Sequence, residues 1–227
     1  MFDSDDSQAV ERARLAAVLE RLSGLPPAPL APLALLPVMA LARGRVHELT
    51  GAARQVLAAA LAGRAQQEGP VLWLRPGWIR EVLCPQGLRA FADPGALIGV
   101  ACPRAPDVLW AAEEALRSGA IALVVAELSA APDLRQIRRL HRAAAEGVAR
   151  AQAGGGTGHA GRAALGVLMM QEQGESRIAG VESRWALHPL PQARPGAPAW
   201  RLERLLARAE PPGAWPLRTG PGGLEMG

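Results

Sequence analysis

Glu127 is the residue whose position first suggests chemistry. It follows the run 121–126, IALVVA, which has no polar residue on either face. A strand of that kind must be covered on both sides and belongs inside a parallel sheet. Open α/β sheets keep their ligands at the carboxyl ends of such strands. A carboxylate there reads either as a metal-side acid or as an exposed strand end. The choice turns on whether the chain also supplies a place for a phosphate.

A phosphate-binding loop needs backbone amides curled round the anion, a lysine to reach it and a hydroxyl for magnesium. The segment 45–49 reads as a strand that reaches Thr50-Gly51, and a helix over 52–64 follows at once. There is no six-residue cradle between them. All 25 basic residues are arginine, and the chain contains no lysine, which excludes Schiff-base chemistry as well as a standard phosphate loop. Arg54 is a substitute cation on paper, but its place in the first turns of the helix points to solvent. The glycine-rich stretch 154–159, GGGTGH, follows a helix and precedes a strand, the wrong polarity for a phosphate loop, and reads as a flexible insertion. No cofactor is expected.

Other constellations are absent from the pattern. His47, His141, His159 and His188 have no ligand spacing, and His47-Glu48 lacks the second histidine of a zinc-protease motif, so no metal site is expected. Cys84 and Cys102 are isolated and read as free thiols of a reducing compartment. No GxSxG elbow occurs. The densest basic segment is RQIRRLHRAA, with Arg135, Arg138, Arg139, His141 and Arg142. Helical spacing puts Arg135, Arg139 and Arg142 opposite Leu134, Ile137, Leu140 and Ala144. That face is either a solvated helix surface or a contact for a phosphate backbone or an acidic partner. No aromatic interleaves with it to support base stacking.

The elements that position these groups follow from periodicity. Val108, Ala112, Ala115 and Leu116 share one face of a helix over 107–118, Asp107 can cap its start, and Gly119 suits its left-handed end. Glu113 and Arg117 are spaced i,i+4 on its other face. Further strands are expected at 71–74, 97–101, 165–170 and 184–187, helical turns at 78–83 and 87–91, and a helix at 133–149. Residues 171–183 read as a loop. Strand and helix alternate, the pattern of a parallel sheet flanked by helices. Residues 1–42 read as a short helix (9–22) and a proline-rich arm (23–37), 43–190 as the α/β core, and 191–227 as a Pro/Gly-rich arm with one short element at 200–206 and little structure from Pro211 onward. Trp73 and Trp110 fall in apolar patterns and are expected in the core. Trp200 and Trp215 can anchor the tail to its own domain or to a partner.

The pI near 10.6 overstates the basicity of a chain whose net charge is +4, since without Lys or Tyr little titrates between Cys and Arg. Nucleic-acid binding therefore needs a local patch. Neither a signal peptide nor a membrane span is visible, which points to a cytoplasmic protein.

The order of the pieces carries a resemblance. EEALRSGAIALVVAEL resembles the helix and central strand of the RecA recombinase core, where the strand ends in the metal-side acid, here Glu127. LGVLMMQ resembles the strand ending in the switch glutamine, here Gln171, and RVHELTG the strand entering the nucleotide loop, here Thr50 and Gly51. With ARGRVHELTG, PVLWLRP, LWAAEEALRSGA, RRLHRAAAEG, SRWALHPLP and WRLERLLARA in sequence, the chain over roughly 42–216 is similar to ImuA, a RecA-like and SulA-like bacterial family. The resemblance implies a RecA-like α/β fold with a degenerate nucleotide site and no enzymatic activity. It also implies a role in SOS-induced translesion synthesis and mutagenesis. The implied partners are an ImuB-like polymerase scaffold, an error-prone replicative-type polymerase and RecA. Arg135, Arg138, Arg139, Arg142, Trp200 and Trp215 are then the candidate partner or DNA contacts. An ATP-dependent DNA-repair protein and a SulA-like cell-division inhibitor are the alternatives.

Overall fold

The computed structural model describes residues 30–153, 164–170, 178–191, 199–220 and 222–227. The expected helix at 9–22, the glycine stretch 154–159 and Gln171 lie outside them.

A hairpin of β1 (Leu33–Leu36) and β2 (Met39–Leu41) precedes β3 (Val46–Thr50), α1 (Arg54–Gln66) and β4 (Val71–Pro76). A single turn, α2 (Pro85–Leu88), leads to β5 (Leu97–Cys102), then α3 (Ala105–Ser118), β6 (Leu123–Leu128), α4 (Leu134–Ala153) and β7 (Leu165–Met170). The chain closes with β8 (Ser183–Leu190), β9 (Ala199–Ala207), β10 (Gly213–Gly220) and β11 (Gly223–Met226). Strands β3 to β11 form one sheet in the order β11-β10-β9-β8-β3-β7-β6-β4-β5. The stretch from β8 to β5 is parallel throughout, while β9, β10 and β11 extend it antiparallel.

Burial explains the order. In β6, Leu123 and Val125 face one core with α1 and the hairpin, while Val124 and Ala126 face the other with α3 and α4. This strand is apolar on both faces because both faces are covered. Gly119, at φ +71, ends α3 as expected, and a side chain there would strike the backbone of α4 at Gly147. Gly147 in turn lets the backbone of α4 meet that of α3, since a Cβ on it would sit 2.0 Å from the Leu116 carbonyl oxygen.

Four expectations are corrected. The proline-rich arm is not a linker up to residue 42: Leu33, Met39 and Leu41 are fully buried against α1, and Pro37 sits in the hairpin turn, where no strand N–H is needed. The segment after 191 is not a separate arm, because β9, β10 and β11 continue the main sheet and put Leu202, Leu217 and Leu224 into the same core. Helix α3 starts two residues before Asp107, with Pro106 in its first turn. Asp107 pairs there with Arg104 at 2.8 Å rather than capping the helix. The 78–83 segment forms no helical turn.

Candidate functional site

The carboxyl ends of β3, β7 and β6 lie side by side, and the turn after β3 decides what that edge can hold. Gly51 takes φ +87, and a Cβ there would sit 2.5 Å from the Leu187 carbonyl oxygen, so only glycine fits between β3 and β8. The amides that follow are already committed. Ala53 N–H donates to Leu187 O at 2.9 Å, and Arg54 N–H to Gly51 O at 3.2 Å. The Arg54 side chain turns back over the edge, its Nε donating to Met170 O at 2.8 Å and a terminal nitrogen to Gly51 O at 3.2 Å. The expectation that Arg54 faces solvent is therefore overturned: it bridges the ends of β3 and β7.

Glu127 is half-buried at the end of β6, and its Oε1 accepts the indole N–H of Trp73 on the neighbouring strand β4 at 2.7 Å. The acid thus satisfies a donor of the core, since Trp73 is 1% exposed. At this edge the Ala53 and Arg54 amides, the Arg54 guanidinium and one oxygen of Glu127 bond within the protein.

Behind the edge lies a polar group around His47, which the sequence offered only as a rejected metal ligand. His47 on β3 is fully buried. Its Nε2 lies 2.9 Å from Ala42 O, so it carries the proton and donates, and Nδ1 accepts from the Ser183 hydroxyl at 2.7 Å. That hydroxyl accepts in turn from Trp185 Nε1–H at 3.0 Å. Burial lowers the His47 pKa to about 4, so the ring is neutral. Serine beside histidine suggests a nucleophile, but both are sealed in the interior with every ring nitrogen occupied, which makes the group a strand clamp. Glu48, 0% exposed, receives Arg184 Nε at 2.5 Å and the Ile178 amide at 3.1 Å. Burial raises its pKa, with Arg184 opposing. A signal for both was present: His47 and Glu48 stand as adjacent polar residues between Val46 and Leu49 of the strand.

The arginines of α4 separate into two groups. Arg139 reaches sideways to Glu113 Oε2 on α3 at 2.6 Å, and Glu113 also receives Arg117. Arg135, Arg138 and Arg142 are exposed and make no ion pair among the described residues. The free face is therefore Arg135, Arg138 and Arg142, with Arg139 turned towards α3. His141 faces inward, accepting Val46 N–H on Nδ1 at 3.3 Å and donating from Nε2 to Gly180 O at 3.0 Å. Leu134 stays 43% exposed rather than joining Ile137 and Leu140.

The tryptophans also divide differently from the expectation. Trp110 is 64% exposed, because it lies two residues, about 200° of helix, from buried Val108. Trp200 and Trp215 are half-buried against their own domain: Trp200 Nε1 donates to Thr219 Oγ1 at 3.0 Å, and Trp215 lies 6.2 Å from Trp185, centroid to centroid. Arg204 lies over both of those rings, 5.5 Å from Trp185 and 5.1 Å from Trp215. They fasten β9 and β10 to the sheet.

Among the described residues no three His, Cys, Asp or Glu side chains gather as metal ligands, and no helix is long and apolar enough to cross a membrane. No protein-family model matches the chain, and no curated protein matches it significantly.

Proposed function

We propose that the chain is a RecA-like accessory protein without nucleotide chemistry, acting in SOS-induced translesion DNA synthesis through protein contacts. One observation carries the reading. The strands that resemble the nucleotide-loop, acid and switch strands of RecA are neighbours in the sheet, in the order β3-β7-β6, parallel and ending at one edge. At that edge the Gly51 turn, Arg54 and Glu127 are spent on internal bonds. A core that keeps the scaffold of an NTPase while filling its ligand edge serves as a platform. The partners are an ImuB-like polymerase scaffold, an error-prone replicative-type polymerase and RecA. With Trp200 and Trp215 packed on their own domain, the outer face of α4 is the more available contact.

Co-purification of the full chain with each partner tests this reading. Retention of the polymerase-like scaffold is the expected result. Retention of the division GTPase in its place would select the cell-division inhibitor.

A further inference from the structure

Helices α3 and α4 follow parallel strands of one sheet and pack side by side on the same face, so they run in the same direction. The Glu113–Arg139 contact fixes their register. Trp110 precedes Glu113 by one turn and Arg135 precedes Arg139 by one turn, so the exposed indole lies alongside the start of the arginine row. From Arg135 to Arg142 the row covers two turns, about 10 Å of helix axis.

This surface departs from an ordinary solvated helix face in two ways. An indole left 64% exposed forfeits the burial that makes tryptophan stabilising, and nothing in the local helix pattern requires an aromatic there. The charges around it are also unevenly paired. Arg104 holds Asp107, and Arg117 holds Glu113, Glu114 and Glu146. Arg139 holds Glu113, while Asp133 accepts the Gln136 amide at the start of α4. Every acid of the two helices except Asp133 thus meets a guanidinium. Among the described residues, the exposed guanidiniums of α4 without a carboxylate are Arg135, Arg138, Arg142 and, two turns further on, Arg150, which donates to Arg117 O.

We propose that the outer surface of α3 and α4 binds single-stranded DNA, with successive phosphates on Arg135, Arg138 and Arg142 and a base stacked on the Trp110 indole. The three guanidiniums complement a polyanion, and the indole supplies a flat apolar face. A duplex keeps its base faces stacked and offers nothing to that indole, and a run of carboxylates alone supplies charge without a flat face. Recognition of this kind tolerates sequence, because every base has a stacking face. The proposal stands on these two helices alone and holds whether or not a polymerase-like scaffold binds the protein.

The test is fluorescence anisotropy of a labelled oligothymidylate with the full chain, between roughly 50 and 200 mM salt. The protein is expected to bind it more tightly than a duplex of equal length. The triple variant Arg135→Ala, Arg138→Ala, Arg142→Ala is expected to lose at least tenfold in affinity. It should also flatten the slope of log K against log salt by about 2, at roughly 0.7 per phosphate contact. Trp110→Ala should weaken binding about fivefold or more with the slope unchanged. All four side chains are exposed, so circular dichroism should report native folding for each variant. Absence of binding at the lowest salt, equal binding by the variants, or preference for the duplex would overturn the proposal. So would tighter binding of polyglutamate than of the oligonucleotide, which would assign the surface to an acidic protein.

Discussion

The indole of Trp73 donates to Glu127 Oε1 at 2.7 Å, joining the core of β4 to the carboxyl end of β6. The acid that sits where a nucleotide site would place a metal-side carboxylate is therefore part of the packing. Glu127→Ala strands a buried N–H and should cost about 1–3 kcal/mol in denaturant unfolding. Glu127→Gln keeps an acceptor and should cost less than half as much. Equal stability of Glu127→Ala and the parent would remove the structural role given to this bond.

Gly51 is the second point where packing closes this edge. A side chain at φ +87, 2.5 Å from the Leu187 carbonyl, strains the turn and pushes β8 from β3. Gly51→Ala should destabilise by more than about 2 kcal/mol, combining the left-handed penalty with the lost approach. Thermal unfolding monitored by circular dichroism reads this directly.

His47 gives the chain a pH dependence with a definite sign. Its pKa falls from 6.5 to about 4 on folding, so the unfolded state binds more protons between those values. Stability is then greatest above pH 6.5 and is lost as pH falls towards 4, by about 3 kcal/mol at ~1.4 kcal/mol per unit. Glu48, with its pKa raised, acts in the opposite sense. The clean measurement is the difference between the parent and His47→Gln, in which the Glu48 contribution cancels. Urea midpoints from pH 7 to pH 4 should fall more steeply for the parent than for the variant.

The alternation of strands and helices was legible because β6, β7 and the faces of α3 and α4 carry unbroken apolar patterns. The hairpin of β1 and β2 was not, since Pro32 precedes it, Pro37 sits in its turn, and a proline count reads as a linker. Strands β10 and β11 escaped for a related reason: Pro216 interrupts β10 and the Gly222-Gly223 pair leads into β11, and only pairing of β10 with β9 and of β11 with β10 makes them strands. Trp110 was misplaced by its apolar neighbours, although its angle from Val108 puts it outside. At the ligand edge, the sequence showed that Thr50-Gly51 leaves no room for a cradle. It did not show that Arg54 folds back to Met170 O or that Glu127 meets Trp73, because both contacts join strands distant in the chain.

The central claim is that the carboxyl edge of β3, β7 and β6 is filled by the protein itself. Isothermal titration of the full chain with magnesium–ATP, followed by a phosphate-release assay on the same sample, tests it most directly. The account predicts neither saturable heat nor turnover. Saturable binding, or magnesium-dependent hydrolysis that disappears in Glu127→Ala, would contradict it.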